Sequence, residues 1–156
     1  MQLLDILSPE RAQAGVIAGS KKRALEQAAD IVGKALGSSD SQAVFDALLA
    51  RERLGTTALG EGVAVPHCRL AGSTGIVGVL LRLAEGIDFD APDNLPVDVL
   101  FILVVPAQAT DEHLKLLGRI AAMFNDAATR TALRQAHSGS ELLAAVTAFE
   151  RDVAGG

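Results

Sequence analysis

Apolar positions along the 156-residue chain recur at two different spacings. The early part carries the three-to-four spacing of helices with one buried face. A short apolar start (Leu3, Leu4, Ile6, Leu7) and a candidate strand at residues 16–18 come first. Ser20 then has the chemistry of a helix cap, its helix places positions 25, 28, 29, 32 and 36 on one face, and Gly37 stops it. A second helix is expected from about residue 40 to residue 53, with Val44, Phe45, Leu48 and Leu49 inward. Arg51 and Arg53 fall in its last turn, where the dipole favours cations, and Gly55 ends it.

From Thr56 the pattern shortens to β-prone pieces broken by glycine: TTALGEGVAVPHCRL, GIVGVLLRL and VDVLFILVV. The last is apolar almost without alternation, which predicts a strand covered by helices on both faces. Helical spacing then returns. Thr110 caps a segment with Leu114, Leu117, Ile120, Ala121 and Phe124 on one stripe, and a short helix follows residues 125–126. The closing helix opens on Ser138-Gly139-Ser140-Glu141, a capping box, and buries Leu142, Val146 and Phe149. No repeat or linker divides the chain, so one domain over residues 1–156 is expected. The predicted class is α/β, a mixed sheet flanked by helices on both faces.

Composition narrows the function. A chain of this length buries roughly 70% of its unfolded surface and needs no disulfide or structural metal to fold. Cys68 is the only cysteine, which suits a reducing, cytoplasmic setting. The start, MQLLDILSPERAQAG, has Asp5 inside its apolar stretch and no basic leader, unlike a signal peptide. The longest apolar run, residues 99–107, falls short of the roughly 20 residues of a transmembrane helix, so no membrane insertion is expected. A net charge of −5 repels phosphate backbones, and without Trp or Tyr there is no stacking platform, so nucleic acid is not an expected partner.

The most informative stretch is RERLGTTALGEGVAVPHCRL, residues 51–70, which sets a Pro-His pair at a strand end among glycines. A neutral imidazole is a nucleophile at physiological pH, and Pro66 stiffens the chain presenting His67. From spacing alone, a hydrogen-bonded strand-end histidine is the more ordinary reading of His67. His113 follows Thr110-Asp111-Glu112 in the first turn of a helix, where a packed imidazole is the ordinary alternative; His137, before the last helix, reads as surface. Cys68 beside His67 raises a thiol–imidazole pair, yet neighbours in an extended chain point to opposite sides, which favours a buried thiol. His67, Cys68, Asp111 and His113 lack any zinc-ligand spacing, so no metal is expected. Lys21-Lys22-Arg23 puts three cations in a helix's first turn, against its dipole. A solvated face with a Lys22–Glu26 pair, or a docking patch for an acidic partner, would account for it.

Arg51-Glu52, then Leu54-Gly55-Thr56-Thr57, then Gly62-Val63-Ala64-Val65-Pro66-His67 together resemble the signature of the IIA components of the bacterial phosphoenolpyruvate-dependent phosphotransferase system, fructose/mannitol and nitrogen-regulatory branch. SKKRALE (residues 20–26) and DNLPVDVLFILVVPA (residues 93–107) are similar to the nitrogen-regulatory subgroup. The resemblance spans nearly the whole chain. It implies that His67 accepts a phosphoryl group from an HPr-like phosphocarrier as a covalent phosphohistidine, with Arg51 as the active-site arginine and His113 as the second active-site histidine. It implies no cofactor, and regulatory targets such as sensor kinases or potassium transport proteins that respond to phosphorylation state. A sugar-specific IIA passing phosphate to a IIB domain is the alternative, against which the freestanding length weighs. A non-catalytic protein-binding module would not need Arg51, His67 and His113 together. The chain departs from the pattern at Ala58, where glycine is usual, and at Cys68, also commonly glycine. Ordinary backbone geometry is expected at Ala58.

Overall fold

The run of apolar residues expected to form a covered strand is the spine of the molecule. In the computed structural model, which describes residues 1–37, 40–73, 75–108 and 110–155, this run is β6 (Val97–Pro106). Leu100, Ile102 and Val104 pack into one core, whereas Val99, Phe101, Leu103 and Val105 pack into another, and all seven are buried. The alternation of a strand thus feeds two apolar layers at once.

The first layer is made by α1 (Lys21–Ala35) and α2 (Ser41–Arg53), the second by α3 (Asp111–Phe124), α4 (Ala127–Gln135) and α5 (Gly139–Gly155). Between them lie β1 (Ala12–Val16), β2 (Ala58–Gly60), β3 (Val63–Ala64), β4 (His67–Leu70), β5 (Val77–Ile87) and β6, in the order β1-β5-β6-β3-β2 with β4 also on β6. β5 and β6 are antiparallel, as are β2 and β3, while β1 on β5 and both β3 and β4 on β6 are parallel, so the sheet is mixed. Among the described residues, no helix is long and apolar enough to cross a membrane.

Local chemistry explains the helix ends. Ser20, Asp40, Thr110 and Asp126 each accept a backbone N–H three residues on, and Gly37, at φ 68°, closes α1 with its N–H on the Lys34 carbonyl. Ser138 Oγ accepts from Glu141 N, while the Glu141 carboxylate takes the N–H of His137 and not that of Ser138, so the capping box is displaced by one residue.

Four expectations need correcting. The first strand occupies residues 12–16 and not 16–18: β1 pairs along β5, and Gly15, at φ 74°, breaks the register beyond Ala14 and leaves Ile17 81% exposed. β5 continues four residues beyond the predicted Leu83, to Ile87. The inward face of α3 carries Leu116, Ile120, Met123 and Phe124, with His113 and Leu117 half-buried, and leaves Leu114 66% exposed. Three leucines in Leu114-Lys115-Leu116-Leu117 allow two faces, and the sheet selects the 113/116/117/120 set. Finally, Glu26 pairs with Arg23 at 3.0 Å and not with Lys22, and Lys21 is engaged within the molecule. Its ammonium lies 3.3 Å from Asp90, 3.7 Å from the buried Glu52 and 4.5 Å from the Phe89 ring centre, which compensates its place in the first turn.

Candidate functional site

β3 and β4 are two halves of one strand line, since both pair with β6 at the same offset: Val63 with Val99, Ala64 with Leu100, His67 with Leu103. Pro66 is the joint. It has no N–H to give the outer side, although its carbonyl still accepts Leu103 N at 2.9 Å. Just before it, Val65 N donates outward to the Thr57 carbonyl at 3.1 Å; beyond it the outer edge of β4 has no strand partner among the described residues. His67 therefore sits where the sheet's outer neighbour ends.

The register assigns the faces. His67 and Arg69 align with Leu103 and Val105, members of the core under α3; Cys68 aligns with Val104 and packs into the core under α1 and α2. The thiol is thus turned away from the imidazole. Burial pushes its pKa from an ordinary value of 9.0 up to about 12, so it is a protonated apolar filler at neutral pH and not a nucleophile.

Around His67 opens a cavity of about 680 Å³ between the end of α2 and the start of α3. It brings together the three residues singled out in the sequence: Arg51 from α2, His67 from β4 and His113 from α3 all line it. His137 is exposed elsewhere, before α5. Leu54, 85% exposed, and Leu114 supply apolar rim. Arg69 also lines this cavity, and the sequence reading did not single it out; its signal was the two-residue spacing from His67, which puts both on one side of a strand.

One hydrogen bond selects the tautomer of a neutral His67. Its Nδ1 lies 2.8 Å from the Val65 carbonyl, and a carbonyl only accepts, so Nδ1 carries the proton. In the neutral ring Nε2 then holds the lone pair. His113 is anchored through its backbone, whose N–H reaches Thr110 Oγ1 at 3.4 Å, while its own Nδ1 is buried with no hydrogen-bond partner among the described residues. Arg51 is held by its Nη1 on the Gly55 carbonyl at 2.9 Å.

One further residue braces the site from inside. Glu52, 6% exposed, accepts the Thr57 N–H at 2.9 Å and the Thr57 hydroxyl in a short bond. A chain of bonds thus runs from the Glu52 carboxylate through Thr57 and Val65 to the imidazole of His67. The loop it fixes also presents the Gly55 carbonyl to Arg51. Ala58, next in line, is a regular strand residue opposite Ala64 and has no positive φ, so the departure from glycine is harmless there.

Comparison with known proteins gives the chain its family. The family model for the phosphoenolpyruvate-dependent sugar phosphotransferase system, EIIA 2, matches residues 5–148. A nitrogen regulatory protein of Pseudomonas aeruginosa is 48% identical over 142 residues, covering 91% of this chain and 92% of that one. One from Escherichia coli K12 is 42% identical over 151 residues, covering 96% and 92%. The crystal structure of the nitrogen regulatory protein IIA-Ntr from Neisseria meningitidis superimposes with a TM-score of 0.86 at 40% identity, covering 91% of this chain and 97% of that one. The chain accordingly belongs to the EIIA 2 family of the phosphotransferase system, as a phosphotransfer component of its nitrogen-regulatory IIA group.

Proposed function

We propose that the protein is a histidine phosphocarrier that takes a phosphoryl group on His67 Nε2 from an HPr-like phosphocarrier and regulates partner proteins according to its phosphorylation state. The observation that carries this reading is the Nδ1–H to Val65 carbonyl bond, which leaves Nε2 as the free nucleophile at the cavity. In the transfer, the Nε2 lone pair forms the new N–P bond while the donor nitrogen departs with the electron pair of the old one. Positive charge then develops on the His67 ring, and the Nδ1–H bond to Val65 becomes charge-assisted and stronger. Phosphoryl transfer asks little of a protein beyond alignment and cations for the equatorial oxygens. Arg51 supplies a planar fork of donors, and His113 brings a second imidazole to the cavity wall.

Regulation follows from local charge. A phosphoryl group brings nearly two negative charges to a face bordered by Leu54 and Leu114, and burial of that face against an apolar or acidic partner becomes unfavourable. Sensor kinases or potassium transport proteins are the regulatory targets that the family relationship suggests.

The test is phosphoenolpyruvate with a reconstituted carrier relay, followed by mass spectrometric mapping and affinity measurements on the phosphorylated and unmodified forms. An acid-labile, base-stable phosphoryl group on His67, absent from His67→Ala, is expected. Undiminished labelling of that variant would falsify the assignment. Equal partner affinities for both forms would replace the regulatory role with delivery of phosphate to a IIB domain.

A further inference from the structure

Ten arginines are present in the chain, and most have a partner in the structure. Among the described residues, only Arg53, Arg69 and Arg151 have a guanidinium with neither an ion pair nor a hydrogen bond; of these three, Arg69 alone lines the cavity at His67. An unpartnered arginine on a surface is ordinary. One placed two residues along the same strand face from a nucleophilic imidazole, on an edge with no outer strand, is in a different position.

We propose that Arg69 holds the phosphoryl group once it is on His67, and so sets how strongly the phosphorylated state is retained. The inference rests on the phosphocarrier reading and goes beyond it. Positions i and i+2 of a strand lie about 6.5–7 Å apart, within the reach of an extended arginine side chain, so the guanidinium can close over the oxygens of a phosphoryl group whose phosphorus is bonded to His67 Nε2. Arg51 and Arg69 differ in freedom. Arg51 is already tied to the Gly55 carbonyl and offers a fixed donor in both states. Arg69 is exposed and untied, so it has nothing to give up when it meets the new dianion. The covalent step is unchanged: the N–P bond forms at Nε2 as above, and Arg69 contributes only hydrogen bonds and charge to the product. A charge-assisted bond of this kind is worth about tenfold in an equilibrium constant.

The experiment uses the full chain with the phosphoenolpyruvate-driven relay and three forms: parent, Arg69→Gln and Arg69→Lys. Two quantities are read, the equilibrium ratio of phosphorylated protein to phosphorylated donor, and the 31P titration midpoint of the phosphoryl group on the isolated phosphoprotein. Arg69→Gln is expected to accept phosphate at His67 but to shift the ratio about tenfold toward the donor. Its phosphoryl midpoint should rise, because the cation favouring the dianion is gone. Arg69→Lys should recover part of both effects, and unfolding of the three unphosphorylated forms should coincide. A slower approach to an unchanged equilibrium would assign Arg69 to donor docking and overturn the proposal, as would a midpoint equal to the parent's. Failure of the parent itself to label at His67 would instead overturn the phosphocarrier reading, and this inference with it.

Discussion

Two buried carboxylates, one in the second helix and one in the last, show how the same device serves two purposes. Glu52 in α2 is 6% exposed and Glu150 in α5 is 3% exposed. Each offsets its burial by collecting donors. Glu150 accepts the N–H groups of Leu3 and Leu4 at 2.8 and 3.0 Å and pairs with Arg119 at 3.0 Å. Glu52 accepts the amide and hydroxyl of Thr57 and has Lys21 at 3.7 Å. The difference lies in what is held. Glu150 fastens the 3-10 turn Leu3–Ile6 and Arg119 to α5, none of them a cavity residue, whereas Glu52 fastens the loop that orients both Arg51 and His67. Stability and chemistry should therefore separate at one carboxylate and travel together at the other.

The largest effect is expected from Glu150→Ala. It orphans two amides and a partly buried arginine, and costs about 3–5 kcal/mol. For a chain of this size that lowers the melting temperature by roughly 10 °C or more, measurable by calorimetry. Phosphoryl transfer at a temperature where the variant is folded should match the parent. Loss of transfer in that folded variant would erase the contrast.

Glu52→Ala should cost somewhat less stability, about 2–3 kcal/mol, because it frees one amide and one hydroxyl while Lys21 keeps Asp90. Transfer to His67 should slow by roughly tenfold or more, since small misplacements of a nucleophile and its cation are costly. Stopped-flow transfer from the donor checks this; a parental rate would reduce Glu52 to a purely structural residue. Lys21→Met sharpens the point. It removes the cation but leaves Glu52 on Thr57, so about 1 kcal/mol of stability and little of the rate should be lost.

The smallest effect concerns a third buried titratable group, Cys68. Its folded pKa of about 12 exceeds its ordinary value of 9.0, so the thiol's contribution to stability is complete below pH 9. It is lost progressively as pH rises toward 12, because the unfolded chain releases the proton first. Cys68→Ala should flatten the urea-midpoint profile across that window and leave transfer to His67 nearly unchanged.

Much of this contrast is visible in the chain itself, though not evenly. The helix caps at Ser20, Asp40, Thr110 and Asp126 and the double-sided strand at Val97–Pro106 are local signals that the fold keeps. The string from Gly62 to His67 located the candidate site, and a strand's alternation already turned Cys68 from His67. What depended on distant partners was illegible. β1 lies where β5 offers a ladder, Lys21 finds Glu52 and Asp90 across a turn between elements, and the face of α3 is selected by the sheet beneath it. In the sequence Glu52 stands out only as part of a motif, because nothing local shows that it is buried beside Thr57.

Cys68 has one more consequence, as a clock. Its sulfur lies beneath the strand that presents His67, in the core shared with α1 and α2, and it is the chain's only thiol. Cys68 is only 8% exposed, so a thiol reagent gains full access to it when β4 lifts from that core, and changes in the labelling rate follow that local opening. Since the imidazole is on the other side of the strand, the readout leaves the phosphoryl chemistry untouched. The breathing of the site can then be timed separately in the charged and uncharged carrier.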